Sequence, residues 1–225
     1  MLEIENLRAG YDRAERLHGV SARFRPGTLT AIIGPNGCGK TTLLKCAAGL
    51  LKPWSGEIRL DGENYARMEP REVARRAAYM PQSRVAPGIS VRRLAEHGRY
   101  PYLRFGHDLS AEDRRIVSEA LRRAGMEDKS ASAVSRLSGG ERQRAYIAMM
   151  LAQEAKLLLL DEPTTYLDPA AQFMVMELLS ALAREGRAVA AVLHDLPLAM
   201  RYADRVLLMR GGEIALDGTP EELFR

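Results

Sequence analysis

The chain has 225 residues, of which 46% are hydrophobic and 28% charged, with a formal net charge of +4. That size suits one domain with room for a small subdomain, and the composition suits a packed core rather than a disordered or fibrous chain. The purest apolar run, Leu157 to Leu160, is far shorter than the roughly 20 residues a membrane-spanning helix needs, and the start MLEIENL shows no signal peptide.

In chain order, residues 2–11 (LEIENLRAGY) and 20–24 (VSARF) alternate as strands. TLTAIIG at 28–34 is a β-rich run that feeds through glycines into a helical pattern, KTTLLKCAAGLL, which Pro53, Ser55 and Gly56 are expected to end. EIRLDG (57–62) and AAYMPQ (77–82) read as short strands. Residues 90–155 differ in texture, being rich in Arg and Ala and helical in period, and predict an inserted helical subdomain. Strands return at KLLLLDE (156–162) and AVAAVLH (188–194), around a helix running from Pro169 to Gly186. VLLMRGGEIALDG (206–218) predicts a hairpin across Gly211 and Gly212. Strands apolar on both faces that alternate with helices imply an α/β fold with a mostly parallel sheet.

Cys38 and Cys46 lie eight residues apart, about 12 Å if both sit near one helix, too far for a disulfide. Free thiols fit a reducing cytoplasm. Arginines cluster at 71, 75–76, 92–93, 114–115 and 122–123. Interleaved acids favour solvated helix faces over a nucleic-acid surface, so no nucleic-acid partner is expected. His18, His97 and His107 have no metal-ligand spacing, and Met149, Met150, Met174, Met176, Met200 and Met209 read as core filler.

Four strand ends carry chemistry. GPNGCGKTT, from Gly34 through Pro35, Asn36, Gly37, Cys38, Gly39, Lys40 and Thr41 to Thr42, fits a phosphate-binding loop between strand and helix. Its glycines let backbone N–H groups turn toward phosphate oxygens, and the helix start adds positive potential. Lys40 is placed to reach the outer phosphates and Thr41 to ligate Mg²⁺. LLLLDEP puts Asp161 and Glu162 at the C-terminal edge of the same sheet, Asp161 on the metal side and Glu162 as a proton acceptor for an attacking water. His194 and Gln82 also follow strands, His194 as a γ-phosphate contact and Gln82 as an amide for metal and water.

The stretch LSGGERQR (137–144) is a second anion cradle, with Ser138, Gly139 and Gly140 at a helix start. With the other motifs in this order, the chain resembles the nucleotide-binding subunits of ATP-binding cassette (ABC) transporters over nearly its whole length. The resemblance implies a P-loop NTPase core at 1–89 and 156–225, with an N-terminal antiparallel β subdomain, interrupted by a helical signature subdomain at 90–155. It implies ATP and Mg²⁺ as cofactors, Tyr11 as an adenine-stacking aromatic, and a D-loop, TYLDPA, whose Asp168 couples two sites. It also implies a head-to-tail dimer in which each ATP lies between the phosphate loop of one copy and the signature of the other. Tyr166 departs from the small residue often found there, which puts the close packing of the D-loop in doubt.

SVRRLAEHGRYPYLRFG (90–106) resembles ferric-siderophore, haem and cobalamin importer subunits. This implies a motor on the cytoplasmic face of the plasma (inner) membrane, bound to permease subunits and serving, indirectly, a substrate-binding protein. Tyr100, Tyr102 and Phe105 are candidates to dock a permease helix. The rival readings are an ABC exporter or lipid-transport ATPase, a non-transport ABC protein acting on nucleic acid or the ribosome, and a small-molecule P-loop kinase.

Overall fold

The computed structural model describes residues 1–82, 86–103 and 108–223. The chain opens with β1 (Leu2–Tyr11) and β2 (Ala14–Phe24), an antiparallel pair turned at Asp12 and Arg13, with Asp12 at φ 53°. The sequence showed only the C-terminal half of β2. Its N-terminal half carries Glu15, Arg16 and His18, so the alternation there is weak. β3 (Thr28–Ile33) leads through the glycine loop into α1 (Lys40–Ala47).

The first helix stops six residues before Pro53, which corrects the expected end point. Gly49, at φ 71°, closes it: its N–H and that of Leu50 bond back to the carbonyls of Cys46 and Lys45. That is a left-handed glycine C-cap, and a proline further on is not needed to stop the helix. Leu50 is consequently outside the helix and 64% exposed.

β4 (Ser55–Leu60), β5 (Glu63–Asn64), α2 (Pro70–Arg76) and β6 (Ala77–Met80) follow. Then come three helices that pack on one another: α3 (Val91–Glu96), α4 (Ala111–Arg123) and α5 (Gly139–Ala152). The chain finishes with β7 (Leu157–Leu160), α6 (Pro169–Arg184), β8 (Ala188–Val192), α7 (Leu196–Tyr202), β9 (Arg205–Arg210), β10 (Glu213–Gly218) and α8 (Pro220–Leu223).

Two sheets result. One is antiparallel, in the order β2-β1-β4-β5; the other runs β10-β9-β3-β8-β7-β6 and is parallel except for the β9–β10 hairpin. Successive residues of the central strands serve opposite faces, as strand geometry requires. Leu158, Leu160, Val189 and Ala191 join the cluster shared with α5 and α6, whereas Leu157, Leu159, Ala190 and Val192 pack toward α1 and the antiparallel sheet. Burial on both faces explains why β3, β7 and β8 read as unbroken apolar runs.

Both cysteines are free and buried, and burial pushes the Cys46 thiol up to about 12. Met150, Met176 and Met209 are core residues, but Met174 and Met200 are half exposed, so the core reading fails for those two. The arginine runs are partly neutralised on their own helices, by Glu112–Arg115, Glu119–Arg122, Arg93–Glu96 and Glu72–Arg76 pairs. Among the described residues no helix is long and apolar enough to cross a membrane.

Gly98 and Arg99, in the stretch GRYP, lock the helical region together. A side chain at Gly98 would meet the carbonyl of Met149 at 2.2 Å, so only glycine allows α5 this close. Arg99 is 5% exposed; it donates to Asp113 (2.8 Å), the Ala152 carbonyl (2.8 Å) and Glu154 (2.8 Å), and lies 4.1 Å from the Tyr102 ring centroid. Removing one partner of a buried ion pair costs about 3 kcal/mol or more. Arg99→Leu is therefore expected to lower the thermal midpoint by about 6–12 °C, read by calorimetry.

Tyr102 donates to the Gln153 carbonyl at 2.9 Å and is clamped by Arg75 and Arg99, so it packs the subdomain rather than standing free for a permease. Tyr100 is half exposed and sits against His97. Phe105 and His107 lie outside the described residues.

Candidate functional site

The ends of β3, β6, β7 and β8 meet at one edge of the parallel sheet, and the loops that leave them build a cleft of about 610 Å³. The glycine loop forms its floor. Gly34 passes so close to the Met209 carbonyl, 2.2 Å from where a Cβ would lie, that no other residue fits. Gly39 caps α1 at φ 104° and brings no side chain to accept from the first-turn N–H groups of α1. Such a loop and helix start favour a polyanion. The Lys40 ammonium donates to the Gly34 and Pro35 carbonyls, at 2.7 and 2.9 Å, inside the loop it would serve.

Asp161 follows β7 and is fully buried. Its Oδ2 accepts from the Tyr79 hydroxyl at 3.3 Å, while Oδ1 has no hydrogen-bond partner among the described residues. Burial raises this carboxyl above the usual range, and the Thr41 hydroxyl beside it is the first influence opposing that. A buried, unsatisfied carboxylate oxygen next to a threonine hydroxyl fits a hard divalent cation such as Mg²⁺.

Glu162, one residue later, has a left-handed backbone at φ 52°, which breaks the strand and sends its side chain elsewhere. Its Oε1 lies 2.6 Å from His194 Nε2, and Oε2 accepts from the Thr165 hydroxyl at 3.0 Å. Burial pushes the carboxyl up, but hydrogen bonds from His194, Thr165 and Gln82 and the attraction of His194 outweigh it and hold Glu162 below the usual glutamate range.

Tyr11, Asn36, Gly37, Thr42, Gln82 and His194 border the same cleft. Tyr11 lies at its mouth with the Lys45 ammonium 5.4 Å from the ring centroid. Arg16 also borders it. Sequence reasoning missed Arg16 because only the β1–β2 pairing, which begins at Tyr11 and Ala14, carries it there.

Ser138, Gly139 and Gly140 do not reach this cleft. They line a second one of about 320 Å³, together with Glu141, Arg144, Asp168 and Met174. Tyr166, 96% exposed and at φ 64°, borders both. The second cradle is built as a capping box. Ser138 Oγ accepts from the Glu141 N–H at 3.3 Å, and the Glu141 carboxylate accepts from the Ser138 N–H at 2.9 Å. Lys129, 2.7 Å away, and that N–H hold Glu141 down to about 2. The box engages the N–H groups of Ser138 and Glu141 and leaves those of Gly139 and Gly140 without an intrahelical acceptor. Asp168 is likewise a cap, accepting from Ala171 N–H at 2.9 Å at the start of α6.

A parallel sheet with a phosphate loop, paired acids at the next strand end and a second anion cradle in a separate cleft defines a P-loop nucleotide-binding cassette. The sequence pattern of the family described as "ABC transporter" matches residues 17–165. The siderophore transport system ATP-binding protein YusV of Bacillus subtilis, described as probable, is 43% identical over 99% of this chain and 82% of its own. The ferric enterobactin transport ATP-binding protein FepC of Escherichia coli K12 is 44% identical over 97% of this chain and 82% of its own. The hemin import ATP-binding protein HmuV of Streptomyces coelicolor is 43% identical over 92% and 74%. Among solved structures, a dimeric post-hydrolysis state of the cassette MJ0796 with ADP and Pi superposes with a TM-score of 0.84 at 27% identity, covering 98% of this chain and 99% of that one. The chain belongs to the ABC transporter family. It binds ATP and is an ATPase subunit of that family.

Proposed function

We propose that the chain is the motor of an ABC importer that takes up a metal chelate, a ferric siderophore first, with haem or cobalamin next. The observation that supports this most is that relatives matched along almost the whole chain at 43–44% identity are named for siderophore, enterobactin and hemin transport. The test is uptake of ferric siderophore or haem labelled with radioactive iron, and of cobalamin labelled with radioactive cobalt, in cells that express the chain with the permease encoded beside its gene. ATP-dependent uptake of ferric siderophore supports the reading; uptake of haem or cobalamin alone reassigns the cargo.

In this reading ATP enters with its base against Tyr11 and its phosphates on the loop from Gly34 to Thr42. Lys40 turns from its loop carbonyls to the outer phosphates. Thr41, Asp161 and Gln82 would hold Mg²⁺, which would neutralise charge on the phosphates. Glu162 accepts the proton of the water that attacks the γ-phosphorus in line, and His194 stabilises the charge that develops on the γ-phosphoryl oxygens. Ser138, Gly139 and Gly140 of a second copy close over the γ-phosphate, and Asp168 joins the two sites. The 1–89 and 156–225 core and the 90–155 helical region act as the two arms of this head-to-tail dimer.

The permease docks in the groove of about 630 Å³ that runs from Leu50 and Trp54 past Tyr65 and Met68 to Gln153. Leu50 and Trp54 are 64% and 49% exposed, a large apolar surface for a chain to leave in water. This attachment places the subunit on the cytoplasmic face of the membrane.

A further inference from the structure

The mechanism above uses Asp161 but leaves unexplained what orients it. Asp161 is fully buried, and its carboxylate is bonded to other side chains at one end only. An unrestrained carboxylate turns about a soft terminal torsion. Two hydroxyls act on the Asp161 carboxyl: that of Thr41, itself a candidate metal ligand, and that of Tyr79, which meets Oδ2 at 3.3 Å.

Tyr79 is well placed to impose a direction. It is the third residue of β6, in parallel register with Leu159, two residues before Asp161. The Asp161 N–H bonds to the Met80 carbonyl at 2.9 Å, so the backbone on both sides of the contact belongs to one ladder. The ring packs against the cluster that contains Cys46, Ala47 and Ala77. Tyr79 also borders the groove lined by Leu51, Tyr65 and Gln153. A fixed ring thus carries one hydroxyl to one oxygen of the acid and leaves the other oxygen for a cation.

We infer that Tyr79 is a positioning residue of the metal site: by holding Asp161 Oδ2 it fixes the direction of Oδ1. Groups that hydrogen-bond to a metal's ligands characteristically change metal affinity by about 10–100-fold when removed. The 3.3 Å separation is long for a hydroxyl–carboxylate bond, so the effect belongs below that range, at about 3–10-fold.

The experiment compares wild type and Tyr79→Phe, which keeps the ring and its packing. Binding of a fluorescent methylanthraniloyl-ATP is titrated in EDTA and then against Mg²⁺ at fixed nucleotide. The expected result is an unchanged affinity in EDTA and a Mg²⁺ half-saturation concentration raised about 3–10-fold. Manganese EPR of the nucleotide complex gives a second readout, with broadened lines in the variant as the acid loses its fixed direction. An unchanged or lowered Mg²⁺ half-saturation overturns the inference. So does an equal loss of affinity in EDTA and in Mg²⁺, because that is the signature of damaged packing.

Discussion

Glu162→Gln is expected to bind ATP, lose turnover by about 10²–10⁴-fold and accumulate as an ATP-bound dimer. The substitution is nearly isosteric. The amide can still accept from Thr165 and sit beside His194, so the turn at φ 52° and the cleft should persist. It removes only the ability to take a proton. With chemistry stopped, ATP remains between the two copies, and the dimer is read by light scattering in ATP and Mg²⁺. Retention of near-normal turnover would sink the base assignment.

The same residue makes a pH prediction. Its folded pKa is lowered, so the carboxylate is the dominant form throughout the range above the ordinary glutamate value of about 4.3. The stability it contributes is present above that value and is lost as pH falls through the lower folded pKa. A wild-type decline in rate between about pH 8 and 5 therefore belongs to another group. Glu162→Gln should lower the rate at every pH in that window.

How much of this was legible in the sequence depends on distance along the chain. The phosphate loop, the Asp161–Glu162 pair and the signature are contiguous stretches whose spacing carries their geometry. The mostly parallel sheet followed from apolar strands alternating with helices. What was not legible depends on pairing across the fold. Arg16 enters the cleft only because β2 folds back on β1. Tyr79 meets Asp161 across 82 residues of sequence. Arg99 reads as one more surface arginine until α4 and α5 close around it. The first helix reads too long in the sequence because Pro53 is a louder signal than Gly49, although the glycine cap acts first. Met174 and Met200 fit a helical apolar stripe in the sequence, yet the fold leaves both half exposed, Met174 on the wall of the second cleft.

Ser138→Arg is the second large effect. It should reduce hydrolysis by at least about 100-fold and leave ATP binding at Lys40 intact. The two clefts are distinct, and Tyr166 is the only described residue that borders both, so a bulky cation at Ser138 has no route to the phosphate loop of its own chain. A complication comes from the capping box, because losing the Ser138 cap costs about 1 kcal/mol whether or not the residue ever meets phosphate. Ser138→Asn and Ser138→Asp separate the two roles, since both side chains cap helices about as well as serine. Asn keeps a neutral surface toward an anion, whereas Asp adds a negative charge at the mouth of the cradle. If the cradle meets the γ-phosphate of a second copy, Asp should fail in hydrolysis and in ATP-driven dimerisation while Asn retains much of both, at matched thermal midpoints. Equal behaviour of Asp and Asn would reduce Ser138 to a helix cap. Loss of ATP binding by the isolated Arg variant would show that the signature acts on the nucleotide of its own chain.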